Sequence, residues 1–222
     1  MLQNRPLVSE ERIPLRSSTE TLGATLSVPD NPSGIVIFAH GSGSSRFSPR
    51  NLLVANRLIE AGFATLLTDL LTESEDAVDR VTAEFRFDIP LLAQRLLLAS
   101  AHVHSHFGNR PLPRGYFGAS TGAGAALIAA ARRPASVSAI VSRGGRPDLA
   151  GPALPLVKAP TLLIVGGNDA PVIDLNRRAQ AAMHAPTELK IVPNASHLFE
   201  EPGTLEQVAD LAVGWFNVFL RA

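Results

Sequence analysis

The sequence predicts an α/β fold, a mostly parallel central sheet with helices on both faces. Apolar runs of strand length alternate along the chain with stretches of helical periodicity, the order that builds such sheets. The run Ile35 to Ala39 reads as a strand buried on both sides, with polar residues only in the loop that follows. The 222 residues, 45% hydrophobic and 18% charged, suffice for one sizeable core and would be cramped as two. The expectation is one domain over residues 1–222.

Residues 6 to 28 read as short strands around the polar "RSSTET" turn, an antiparallel edge. "GIVIFAHGSGSS" is a strand running into a Gly/Ser loop, and Leu52, Leu53, Ala55, Leu58 and Ile59 give a helix over about 50–61. "FATLLTDLL" is the next strand. Residues 79 to 107 are mostly helical, with Pro90 marking a break or a fresh start. "RGYFGAS" is a strand, and "GAGAALIAAARR" a helix stopped before Pro134. "SVSAIVSRGG" and "APTLLIVGGND" are strands, followed by a helix near 172–183, the strand "ELKIVPN" and a last helix over 204–220. On that helix Trp215, Phe216 and Phe219 face the core, or extend to a dimer face.

Composition excludes several functions. Lysine plus arginine equals aspartate plus glutamate, 20 each, so no bulk field favours nucleic acid or an anionic membrane. The absence of cysteine removes disulfides, thiolate–zinc sites and a thiol nucleophile. The first fifteen residues lack an apolar signal core, and no apolar run reaches membrane-spanning length, so a cytoplasmic location is expected.

The chemistry turns on "RGYFGASTGAGAAL", residues 114 to 127. Gly118, Gly122 and Gly124 fit a dinucleotide loop, but such a loop belongs after the first strand, and this one lies near mid-chain. Tyr116, the only tyrosine, precedes the loop, and no lysine follows the glycines as a phosphate-binding P-loop requires. No cofactor is expected. Gly118-Ala119-Ser120-Thr121-Gly122 also fits G-x-S-x-G, a serine on a sharp strand-to-helix turn. Neighbouring strand and helix crowd that turn, so the residues two before and two after the serine must be small.

A serine nucleophile needs a base, a carboxylate to orient it and donors for the oxyanion. Asp169 follows one predicted strand and His197 the next, giving the chain order serine, acid, histidine. "HGSGSS" at 40–45 follows an earlier strand, where an oxyanion loop belongs. All these residues fall just beyond strand carboxyl ends, the ligand-binding edge of open α/β sheets.

With "HGSGSS", "GASTG", "GGND" followed by Val172, and "NASH", the chain resembles the α/β-hydrolase family, and within it the dienelactone hydrolase-like branch. The resemblance runs from about residue 20 to the end. It implies Ser120 as nucleophile, His197 as base and then acid, and Asp169 as orienting carboxylate. It also implies the backbone N–H groups of Ser42 and Thr121 as oxyanion donors. The name-giving dienelactone hydrolases use a cysteine nucleophile, so their substrate specificity does not carry over. "HGSGSSRFSPRN" and "SRGGRPDLAG" further resemble a bacterial subgroup of serine-containing relatives, sometimes joined to a phosphoribosyltransferase domain.

Asp148 is the rival acid, since some hydrolases place theirs after the preceding strand; Asp174 falls on the following helix. His102 and His106 share a helix face with no accompanying carboxylate, so no metal site is expected there. His40 is expected to bond the loop backbone, and His184 has no motif around it. Arg46, Arg50, Arg143 and Arg146 have two readings, recognition of an anionic group by guanidinium forks or loop-anchoring ion pairs. Phe47, Leu70, Leu149 and Phe199 line the acyl side or belong to the core.

About sixteen residues separate the strand ending near Arg143 from that starting near Thr161, too few for a cap domain. An open, shallow site suits small or short-acyl esters. The expected protein is a metal- and cofactor-free serine carboxylesterase with a small-molecule partner, monomeric or homodimeric. Lactone or thioester cleavage, or acyl transfer, on the same triad is the alternative chemistry; a hydrolase-shaped binding protein is the alternative class.

Overall fold

The computed structural model describes residues 8–220. Eight strands form one sheet in the order β1-β2-β4-β3-β5-β6-β7-β8. Strands β1 (Val8–Arg16) and β2 (Thr21–Pro29) form the antiparallel edge, and β2 runs antiparallel to β4 (Ala64–Thr68). The remaining pairs are parallel: β4 with β3 (Ile35–Ala39), then β5 (Arg114–Ala119), β6 (Ala139–Arg143), β7 (Thr161–Gly166) and β8 (Thr187–Val192).

The period of two in the strands assigns each side chain to a layer. Ile35, Ile37, Leu66 and Tyr116 point to one side, where α3 (Ile89–His106) contributes Leu92 and Leu96, and α4 (Thr121–Arg132) contributes Ala125 and Ala126. Val36, Phe38, Phe117 and Val141 point to the other, against Val54 and Leu58 of α1 (Pro49–Glu60) and Phe216 of α6 (Thr204–Phe219). Trp215 and Phe216 are buried, and Phe219 packs on the same cluster, as the core reading of that helix expects.

Local chemistry fixes where the helices start. Ser48 caps α1 from the Asn51 N–H, with Pro49 in the first turn, where its missing N–H costs nothing. Thr72 and Glu75 form a reciprocal capping box for α2 (Glu73–Thr82). Asp88 caps α3, so Pro90 marks a helix start, and the break in the 79–107 stretch falls at 83–88. Helix α2 begins at Glu73, six residues before the 79–107 stretch that the sequence marks as helical. Buried Arg95 on α3 ties α2 to the β1–β2 turn by pairing with Glu75 at 2.8 Å and with Glu20.

Between β6 and β7 the chain makes only a broken 3-10 segment, Pro147–Leu156, interrupted at Gly151 and packed on α4 and on α5 (Ala170–Ala182). No cap domain intervenes between these strands. The order in which strands are added to the sheet reverses between β3 and β5, which run parallel, so a crevice opens beyond their carboxyl ends.

Candidate active site

Ser120 sits between β5 and α4 with φ 50° and ψ −120°, a conformation L-residues rarely adopt. The turn is tight enough to dictate its neighbours. A Cβ at Gly118 would lie 2.5 Å from Ala123 Cα, and one at Gly122 would lie 2.3 Å from the Ala39 carbonyl oxygen. Any larger side chain therefore has to displace backbone, which explains the small residues on both sides of the serine. The "HGSGSS" loop lies close by: a Cβ at Gly41 would come within 3.1 Å of Ser120 Cβ.

Ser42 and Thr121 are neighbours, their hydroxyls 3.1 Å apart. Thr121 is the first residue of α4, so its N–H has no carbonyl within the helix to bond. His40 holds the loop from beneath. Its Nε2 accepts from the Leu70 N–H at 3.1 Å, so its proton resides on Nδ1, which donates to the Gly41 carbonyl at 2.9 Å. Burial pushes the His40 imidazolium below its ordinary pKa, partly offset by the Gly41 bond, and the ring stays neutral.

Across the crevice, the loops after β7 and β8 are joined backbone to backbone. Gly167 N–H donates to Val192 O at 2.8 Å, and Asn168 N–H to Ala195 O at 2.9 Å. A Cβ at Gly166 would fall 2.4 Å from the Ala195 and Ser196 carbonyl oxygens, so the loops cannot approach without glycine there. That approach sets His197 Nδ1 2.6 Å from Asp169 Oδ2. A carboxylate only accepts, so Nδ1 carries the proton and Nε2 is the free basic nitrogen. Asp169 occupies the N-cap position of α5 yet makes no cap bond, its carboxylate being given to His197. Glu201 accepts from Ser196 N–H at 2.9 Å and so braces the histidine loop. That bond, with further backbone N–H contacts, holds its carboxyl below the usual range.

The two halves meet at β6. Ser120 N–H donates to Arg143 O at 3.3 Å, while Gly144 packs against His197, its Cβ position 3.6 Å from His197 Cε1. Ser120 and His197 thus flank the same dipeptide. Asp148 is elsewhere: its carboxylate receives a two-pronged bond from Arg146, Nε at 2.9 Å and a terminal nitrogen at 2.7 Å. The rival acid is therefore held by an arginine, and the histidine takes Asp169.

The other candidates divide. Arg46 pairs with Asp69, which also accepts from the Arg46 N–H at 2.8 Å, and its guanidinium covers the exposed Phe47 ring at 4.2 Å. Arg46 and Arg146 are thus loop anchors whose charges are already met, the ion-pair reading of the two their sequence allows. Phe199 and Leu70 are buried in the core, the second of their two readings. Leu149 packs partly buried beside α3 and α4. His102 and His106 stack on one another, and His104 accepts from Arg114. A groove of about 1010 Å³ runs beside the loop at residues 44–47, between β2 and α2, and touches none of Ser120, Asp169 or His197.

Arg143 differs from the other arginines. It is 6% exposed, donates to Asn51 Oδ1 at 3.3 Å and forms no ion pair with a described carboxylate. Burial, reinforced by nearby Arg50, pushes its pKa down to about 10. Neither Asn51 nor Arg86, whose guanidinium lies near Gly43 of the "HGSGSS" loop, was singled out by the sequence; both act through partners distant along the chain.

Similar proteins agree with this architecture. A family model described as the dienelactone hydrolase family matches residues 22–213. A solved structure described as a dienelactone hydrolase from Anabaena variabilis is 54% identical, with TM-score 0.94, covering 98% of this chain and 100% of that one. An alpha-beta serine hydrolase homologue from Coxiella burnetii shares the fold at 18% identity and TM-score 0.76, over 92% of this chain and 96% of its own. Two Mycobacterium tuberculosis proteins, from strains CDC 1551 / Oshkosh and H37Rv, are described as putative phosphoribosyl transferases. Each is 55% identical over 211 residues, 95% of this chain but 47% of theirs. The chain thus spans about half the length of these curated relatives. Sheet order, elbow and family match converge: the chain is an α/β hydrolase and belongs to the dienelactone hydrolase family.

Proposed function

We propose that the chain is a serine hydrolase that cleaves carboxylic esters of small or short-acyl substrates. The pairing of His197 Nδ1 with Asp169 at 2.6 Å, beside a serine on a strained elbow, carries the reading. Ser120 Oγ attacks the ester carbonyl as His197 Nε2 takes its proton, and Asp169 stabilises the imidazolium. The oxyanion that forms accepts from the N–H groups of Ser42 and Thr121. His197 returns the proton to the departing alcohol, leaving an acyl-serine. Water, deprotonated by the same nitrogen, adds to that acyl group and releases the acid as Ser120 regains its proton.

The short connection between β6 and β7 supports a small-substrate reading, since no inserted cap closes over the crevice. The transferase description belongs to the longer relatives, and we assign any such activity to parts of them that this chain does not span. Hydrolysis of p-nitrophenyl acetate, butyrate and octanoate by wild type and Ser120→Ala tests the reading, together with fluorophosphonate labelling of Ser120. Activity that falls with chain length and vanishes with the serine is expected. A folded wild type that neither turns over any ester nor labels would refute it. Hydroxylamine or methanol as acceptor separates acyl transfer from hydrolysis, and a lactone and thioester panel separates the related cleavages.

A further inference from the structure

Arg143 and Arg50 present the one buried concentration of positive charge among the described residues that has no buried carboxylate to balance it. Arg143 is 6% exposed, and its Nε has no hydrogen-bond partner. Arg50, at the start of α1, also has a buried Nε without a partner. Its nearest counter-charge is Glu200, 3.8 Å away and two-thirds exposed. The Nε atoms of Arg46 and Arg95 are likewise without a partner, but those guanidiniums are met by carboxylates at short range, Arg95 by Glu20 and Glu75 and Arg46 by Asp69, as Arg86 is by Asp79. Holding the buried Arg143 guanidinium beside a second, partly buried one is costly unless an anion completes the arrangement.

We propose that Arg143 and Arg50 form an anion subsite that receives a phosphate group carried by the ester substrate. The proposal rests on the esterase reading above and names its substrate class. Position supports it. The Arg143 carbonyl accepts from Ser120 N–H, Gly144 packs on His197, and Glu200 lies three residues beyond that histidine. A group held by these arginines is therefore on the α1 side of the serine–histidine pair. Arg50 is one-third exposed along its side chain, which leaves the pair open to solvent from that side. Stoichiometry selects phosphate over carboxylate. Two guanidinium charges are balanced by the close to two negative charges of a phosphate monoester, whose three oxygens can meet both forks, whereas a carboxylate supplies a single charge. Burial, and after it the charge of nearby Arg50, lowers the pKa of Arg143.

The test uses acetyl esters that differ only in the arm beyond the ester: acetylglycerol 3-phosphate, acetylglycerol and 3-acetoxypropionate, read by acetate release. Wild type is expected to favour the phosphate-bearing ester over the neutral one by roughly tenfold or more in kcat/KM. Arg50→Gln and Arg143→Gln should each collapse that ratio. Because Arg143 is buried and its replacement can disturb folding, the variant at the one-third exposed Arg50 carries the decision. Equal rates on the phosphate-bearing and neutral esters overturn the proposal, and so does a preference for the carboxylate ester. Thermal unfolding with inorganic phosphate, against chloride at equal ionic strength, reads the subsite without turnover. If no ester is cleaved but phosphate stabilises wild type and not Arg50→Gln, the esterase reading fails and the anion subsite stands. Phosphate stabilisation with no ester preference means a free ion rather than a substrate arm, and overturns the proposal as stated.

Discussion

Asp169 and His197, 28 positions apart in the chain, are joined carboxylate to imidazole at 2.6 Å because the backbones of their loops lie on one another. The pairing fixes the tautomer, proton on Nδ1 and lone pair on Nε2. Asp169→Asn offers an amide in place of the carboxylate and permits the opposite tautomer. On the esterase reading, kcat/KM for p-nitrophenyl acetate should fall by about three to four orders of magnitude. Asp148→Asn only weakens the contact to Arg146 and should stay within a few fold of wild type. A larger loss for Asp148→Asn than for Asp169→Asn would reverse the assignment of the acid.

The crowding at the elbow predicts a contrast between two glycines on helices. Gly122→Ala places a methyl 2.3 Å from the Ala39 carbonyl, and both groups belong to backbone, so neither yields cheaply. A loss of about 3 kcal/mol in urea unfolding is expected, with loss of esterase activity as Ser120 shifts. Gly214, inside α6, has nothing within 4 Å of its Cβ position. Gly214→Ala should gain about 0.7 kcal/mol from helix propensity and leave turnover unchanged. Equal stability of the two variants would show the crowding to be illusory.

Gly118 and Gly122 were legible in the sequence because a strand-to-helix turn with small flanking residues is a local pattern. The same holds for the antiparallel edge and the parallel core strands, which the fold reproduces. What was not legible depends on pairing between distant segments. Nothing local distinguishes Arg146, two residues from its partner Asp148, from Arg143, whose only described side-chain partner is Asn51 on α1. Phe199 sits in a loop, where apolar residues suggest a binding surface, yet its positive φ of 57° turns the ring into the core. Helix α2 escaped because its sequence, "ESEDAVDRVT", is largely polar, and tertiary ties through Glu75 and Asp79 hold it in place.

His40 gives the molecule an acid sensitivity of its own. Burial lowers its folded-state pKa below the ordinary 6.5, so on acidification the unfolded chain takes up this proton first. Between the folded pKa and 6.5 the unfolded state binds more protons, and stability rises with pH. The contribution is full above 6.5 and is lost progressively below it. Protonation also removes the acceptor for the Leu70 N–H. Urea midpoints of wild type should therefore drop between about pH 7.5 and about pH 5.5, and His40→Gln should show a shallower drop from a lower start. An identical slope in the variant would assign the acid sensitivity to other groups.

The loop at 83–88 is held by one carboxylate. Burial alone would raise the pKa of Asp79, but bonds from the N–H groups of Arg86 and Phe85 and from the Arg86 guanidinium outweigh it and hold the acid below its ordinary range. Arg86 returns a further bond, from its other guanidinium nitrogen to the Asp79 carbonyl at 2.6 Å. The guanidinium so fixed lies beside Gly43, in the loop that presents Ser42. Asp79→Ala removes the acceptor for three N–H groups and leaves the Arg86 guanidinium without its carboxylate, which should cost about 3 kcal/mol of stability. Freed from its anchor, the 83–88 segment no longer supports the "HGSGSS" loop, so kcat should fall while labelling of Ser120 persists at a reduced rate. Arg86→Lys separates packing from charge. It keeps the cation but loses the fork, and should recover stability only in part. Full recovery by Lys would show that the carboxylate needs a charge nearby and no particular geometry, which would detach Arg86 from the positioning of the loop.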